Sequence, residues 1–166
     1  LWISRNLIKD SIFRKLLASA NFKLFNKSLI EKKTISLEKL PECNWIFFNS
    51  PFSFDSLINL KESMHFKKIA AFGKSTAEHI KKQKINIDFI GNGSPNQVAE
   101  KFADIVKSSE IVFFPSSDRS LGTVQNKLQE KNKKIIITYQ TNLLAENIGE
   151  NDYLVFTSPS NVEAYL

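Results

Sequence analysis

At 166 residues, 42% apolar and 24% charged, the chain can bury a real core as one domain or two small ones. A single cysteine, Cys43, excludes an internal disulfide framework and suits a reducing compartment, and with only His65 and His79 beside it there is no zinc-like cluster. The net charge of +6 resides in residues 1–40, where nine basic residues face Asp10, Glu31 and Glu38; with no nucleic-acid motif alongside, it reads as a solvated lysine-rich face. No apolar run is long enough to cross a bilayer and the opening residues lack a signal-type apolar region, so the expected setting is the cytoplasm.

Leu1–Arg5 reads as a strand, followed by a helix with Leu7, Ile8, Ile12, Phe13, Leu16 and Leu17 on its buried face. A polar, lysine-bearing stretch then runs to Pro41 as a first linker. Asn44–Phe48 is a short apolar run suited to a strand covered on both faces; it stops at Asn49-Ser50-Pro51 and passes into a helix expected over about 53–64. The same pattern returns at Asp152–Phe156 followed by Thr157-Ser158-Pro159, so two similar half-molecules are expected. Ser50 and Ser158 fall at strand ends beside helix N-termini, where open α/β sheets bind ligands. A Ser-Pro pair that merely ends a strand is the plainer reading of either copy alone.

Ile69–Phe72 forms a strand that enters a helix through Gly73-Lys74-Ser75-Thr76. A phosphate-binding loop is excluded because the second glycine it needs would stand where Lys68 is. Ser75 and Thr76 remain as helix caps or ligand contacts. Ile85–Ile90 is a further strand, closed by Gly91-Asn92-Gly93, and Ser94-Pro95 starts a helix with Val98, Phe102, Ile105 and Val106 inward. Ile111–Phe114 is a strand, 115–120 a polar turn with Ser116 and Arg119, and a helix carrying Leu121, Val124 and Leu128 is expected next. Lys134–Tyr139 is the last strand before a second linker.

Strands alternating with helices imply an α/β fold with mostly parallel sheets. The strand ends collect Asn49, Ser50, Lys74, Ser75, Thr76, Ser116, Arg119, Thr157, Ser158 and Asn161. Hydroxyls, amides and a few cations beside helix N-termini recognise carboxylates or phosphates and hydrolyse poorly. From the residues alone, the chain is a two-domain α/β protein that binds an anionic small molecule in its cleft.

The paired Phe-x-Ser-Pro turns, Ala71-Phe72-Gly73-x-x-Thr76-Ala77, the strand ending Thr138-Tyr139-Gln140-Thr141 and the final Ser-Pro-Ser-Asn-Val-Glu-Ala, in this order, resemble uroporphyrinogen-III synthase. The likeness runs over nearly the whole chain. It implies two flavodoxin-like domains joined by a two-stranded linker, with the active site in the cleft between them. Residues 1–35 with 144–166 would form the first domain, 40–138 the second, and 36–39 with 139–143 the linkers. The implied activity is cyclisation of hydroxymethylbilane to uroporphyrinogen III, with the last ring inverted and without metal or organic cofactor. The implied partners are the anionic linear tetrapyrrole and, as a candidate, the upstream bilane-forming enzyme handing it over; nucleic acid and membrane are not expected, and the protein would be a monomer.

Under the resemblance Tyr139 matches the family's tyrosine and becomes the proton donor to the departing hydroxyl; the alternative is a linker anchor. Thr76, with Gly73, matches the Gly-x-x-Thr turn, and Ser50 and Ser158 the Ser-Pro serines, while Phe52 departs from the basic residue often found there. The second reading of the whole is a non-catalytic cleft protein for an anionic metabolite. Thr76 follows Ser50 by 26 residues, whereas the chain stops eight residues after Ser158. The natural protein is therefore expected to continue to a second such turn, and this chain to fold over about 44–139 yet be inactive.

Overall fold

The computed structural model describes residues 1–7, 9–144 and 146–166. The chain divides into two compact units, Leu1–Lys33 with Thr141–Leu166, and Thr34–Gln140.

In the first unit, β1 (Trp2–Ile3) leads to α1 (Ile12–Ser19) and β2 (Phe25–Asn26), and after the second unit come β9 (Leu154–Val155) and α6 (Pro159–Tyr165). The strands order β2-β1-β9, all parallel, with Trp2 opposite Phe25 and Leu154. Trp2, Ile3 and Leu29 are its buried apolar side chains. The helix expected near the start is shorter than its pattern and buries none of its residues; Ile12 is 78% and Leu16 61% exposed, because no described element covers that face. Ile8, also placed on that face, lies outside the described residues.

The second unit is built on β4 (Trp45–Phe48), every residue of which is buried. Alternation sends Ile46 and Phe48 to one face and Trp45 and Phe47 to the other. The first pair packs with Phe54, Leu57, Met64, Ala77, Ile80 and Phe113, the second with Val98, Ala99, Phe102, Phe114 and Val124. Phe47 meets the Phe102 ring at 4.7 Å, and Phe48 meets Phe54 at 5.4 Å. Around β4 follow α2 (Pro51–Asp55), α3 (Lys61–Met64), β5 (Lys68–Ala71), α4 (Lys74–Lys81), β6 (Phe89–Ile90), α5 (Pro95–Ile105), β7 (Val112–Ser117) and β8 (Lys133–Leu143). Helices on both faces of a parallel sheet bury both sides, which explains why its central strand β4 is apolar throughout.

β3 (Ile30–Thr34) precedes them, and the sheet order is β3-β8-β7-β4-β5-β6. Ile35 N–H donates to Thr138 O and Leu144 N–H to Leu29 O, so β3 and β8 run antiparallel. The lysine-bearing stretch taken as linker is therefore in part a strand. Counting from β4, the parallel strands fall in the order 3-2-1-4-5 rather than the flavodoxin order 2-1-3-4-5. Right-handed crossovers fix the hand of each connection but leave open the side on which a strand is added.

Other expectations change locally. The helix expected over 53–64 breaks into α2, a 3₁₀ turn at Ile58–Leu60, and α3. Ser53 Oγ donates to Ser50 O and Ser56 Oγ to Ser53 O, and such back-bonding competes with a continuous ladder. The helix expected after residue 120 is only a 3₁₀ turn, Gln125–Lys127. Gly122 sits at φ +68°, Lys133 Nζ takes the Gln125 and Leu128 carbonyls, and Leu121 is left 87% exposed. Ile105, expected inward, is exposed at the end of α5.

At the amino ends of β4, β5 and β7 the sheet is held shut. Glu110 accepts from Trp45 Nε1 at 3.0 Å, Lys68 Nζ at 2.7 Å and Lys107 N–H at 3.0 Å, and Lys68 lies 5.0 Å from the Trp45 ring centre. Burial alone would push the Glu110 carboxyl up; these hydrogen bonds and the Lys68 charge outweigh it and hold the pKa at about 2, against an ordinary 4.5. A depressed carboxyl stabilises the fold fully above its unfolded pKa and loses that contribution as pH falls through the folded value. Urea midpoints of the wild-type protein are therefore expected to fall between pH 4.5 and 2 more steeply than those of Glu110→Gln.

Candidate functional site

Because β4, β5, β6 and β7 are parallel, their carboxyl ends share one edge of the sheet. The sequence-predicted residues of the larger unit occur at or near it. Ser50 caps α2: its Oγ accepts Ser53 N–H at 3.2 Å and Ser53 Oγ lies 3.2 Å from Ser50 N in a closed capping box. α4 has Gly73 at its N-cap and no side-chain cap, so the N–H groups of its first turn carry no capping side chain. Lys74 is exposed and stands 3.8 Å from Glu78; Ser75 is exposed. Thr76 is 5% exposed and its side chain makes no hydrogen bond among the described residues.

Ser116 lies within β7 rather than in the turn after it. Its hydroxyl donates to Phe114 O and accepts from Gln125 Nε2, so it braces the strand against the following loop. Arg119 is exposed in that loop, its backbone N–H on Ser117 Oγ.

Tyr139 is inside β8, which continues to Leu143. Ser116 pairs with Ile137 but Ser117 pairs with Tyr139, so Thr138 is the extra residue of a bulge. Before the bulge, Ile135 and Ile137 are exposed on one face; strict alternation would expose Tyr139 with them. The bulge reverses the alternation, and Thr138 and Tyr139 are both buried. Thr138 Oγ1 lies 2.8 Å from Ser56 Oγ, and the Tyr139 ring packs edge-on against Phe52 at 5.1 Å. Phe52, which departs from the basic residue expected there, is thus the wall of the tyrosine.

Thr157, Ser158 and Asn161 belong to the smaller unit and are all engaged. Thr157 N–H donates to Ser4 Oγ and its hydroxyl to Ser4 O. Ser158 caps α6, accepting from Asn161 N–H and, at 2.8 Å, from Asn161 Nδ2. Asn161, 3% exposed, accepts Leu29 N–H at 2.8 Å. For both Ser-Pro serines the plainer capping role is the one observed.

Two features escaped the sequence reading. The bulge at Thr138 depends on strand register, and nothing in the local pattern announces it. A pocket of about 650 Å³, lined by Phe72, Gly73 and Lys81 among others, borders the Gly91–Gly93 turn, which reads in the sequence only as a strand end. Among the described residues no group of three or more His, Cys, Asp or Glu is placed to hold a metal, and no helix is long and apolar enough to cross a membrane. Burial pushes the Cys43 thiol up, against the Lys67 and Lys134 charges, so it stays a core thiol.

Residues 26–166 match the family model for uroporphyrinogen-III synthase HemD. The fold is similar to uroporphyrinogen-III synthetase from Helicobacter pylori, with TM-score 0.71 and 16% identity over 99% of this chain and 75% of that one. A mutant uroporphyrinogen III synthase from Thermus thermophilus aligns with TM-score 0.64 and 14% identity over 98% and 74%. No curated protein matches the chain.

The capping geometry carries a direct expectation. Ser50→Ala should lower stability by about 1 kcal/mol and Ser50→Asp restore most of it, read from denaturant midpoints.

Proposed function

Because the chain belongs to the uroporphyrinogen-III synthase family, we propose that the protein closes hydroxymethylbilane to uroporphyrinogen III, inverting the last pyrrole ring, in haem biosynthesis. The observation that carries this reading is the family match over residues 26–166. No observation favours the non-catalytic alternative.

The reaction is a dehydrating cyclisation. The terminal hydroxyl takes a proton and leaves as water, pushed out by the pyrrole's own electrons, which leaves an electron-poor azafulvene. The substituted carbon of the last ring attacks it, and the resulting spiro centre opens and recloses with that ring turned over. The electrons come from the pyrroles, so the protein must fold the chain for the right attack and supply the proton.

Tyr139 is the donor in this proposal. Its burial beside Phe52, imposed by the Thr138 bulge, fixes the ring and limits competing water. The unbonded Thr76 hydroxyl and the uncapped first turn of α4 receive oxygens of the substrate's acid arms, with Lys74, Ser75 and Arg119 at the rim. Ser50 and Ser116 in the larger unit, and Thr157, Ser158 and Asn161 in the smaller, act by holding the turns in shape, since their polar groups are already engaged.

Supplied with hydroxymethylbilane, the full-length protein is expected to yield mainly the type III isomer; type I alone, the product of unassisted closure, would overturn the reading. Tyr139→Phe should lower turnover by ~10²–10⁴-fold with little change in substrate binding, the mark of a group needed only as the hydroxyl departs.

A further inference from the structure

From its first turn onward, α4 presents a stripe of Lys74, Ala77, Glu78 and Lys81 to one pocket. Phe72, Ile90 and the Gly91–Gly93 turn line its other sides, and its volume of about 650 Å³ suits a small organic ligand.

The two glycines at its border differ. At Gly91 a Cβ would stand 2.2 Å from the Phe72 carbonyl oxygen, so glycine is needed there for the β5–β6 edge to close. At Gly73 φ is −164°, which any residue adopts, and an added Cβ would meet nothing within 4 Å. The space before Gly73 is open, and a ligand can approach its backbone.

The charges are also unequal. Glu78 is 3.8 Å from Lys74, while Lys81, about 10 Å further along the helix, makes no ion pair among the described residues. The pocket thus joins an apolar wall of Phe72, Ala77 and Ile90 to two ammonium groups with one carboxylate between them.

We propose that this pocket is a carboxylate-recognising subsite for one acid-bearing pyrrole ring of a linear tetrapyrrole. The ring lies on Phe72, Ala77 and Ile90, and its acid arms reach Lys74 and Lys81. Lys81 sets substrate affinity and takes no part in the chemistry. The assignment of ligand rests on the function proposed above.

The test compares full-length wild type with Lys81→Gln, Lys81→Glu and Lys82→Gln, the last removing the same charge from the neighbouring position outside the pocket. With hydroxymethylbilane, Lys81→Gln should raise KM about three- to tenfold with kcat within about twofold, and Lys81→Glu should raise KM further. Lys82→Gln should leave both unchanged. A monopyrrole bearing one acetate and one propionate arm, titrated by NMR, should shift the Gly73, Gly91 and Gly93 amides, and more weakly in Lys81→Gln. Normal turnover with an unaltered KM in Lys81→Gln would discard the subsite and keep the reaction. Monopyrrole binding that depends on Lys81, in a protein that forms no type III product, would keep the subsite and discard the reaction.

Discussion

The larger unit depends on one strand being covered on both faces. β4 has no solvent side, so each of its four residues is committed to one of two cores, and helices must lie above and below it. Crossover connections that supply this cover run β4 to β8 parallel, and parallel strands place all their carboxyl ends, with the following helix N-termini, at one edge. The two edges are then treated differently. At the amino ends Glu110 ties Trp45, Lys68 and Lys107 together, whereas at the carboxyl ends the first turn of α4 lacks a capping side chain and a pocket opens beside it.

A second constraint works at the side chain proposed as the proton donor. Tyr139 has the same parity as Ile135 and Ile137, which face solvent, and would do so too in a regular strand. One extra residue, Thr138, turns it inward against Phe52. An insertion or deletion near Thr138 would therefore reverse the tyrosine without altering its identity. A bulge beside a functional side chain is a recurrent device for aiming it.

What was legible in the sequence follows physical range. Ser94-Pro95, and the apolar run of β4, are local signals and appear in the structure as a capped helix start and a fully buried strand. The α/β class follows from the alternation of such signals. The break after Asp55 was not legible, because it comes from Ser53 and Ser56 bonding to carbonyls that a helix pattern assigns to the ladder. Strand order and the Thr138 bulge are relations between distant segments, and a single strand's pattern does not contain them. At the site, Gly73 to Thr76 could be located from their own turn. The engagement of Ser116 by Gln125, or of Asn161 by Leu29, could not, since each partner lies on another segment.

The central claim is that the carboxyl edge of the larger unit receives an acidic linear tetrapyrrole. The most direct measurement is amide hydrogen exchange on the full-length protein with and without a bilane that lacks the terminal hydroxyl and cannot close. Protection is expected at Phe72–Thr76, Gly91–Gly93 and Tyr139, with none added around Lys68 and Glu110. Protection confined to the Lys68 and Glu110 edge, or no change at any of these amides at saturating bilane, would contradict the account.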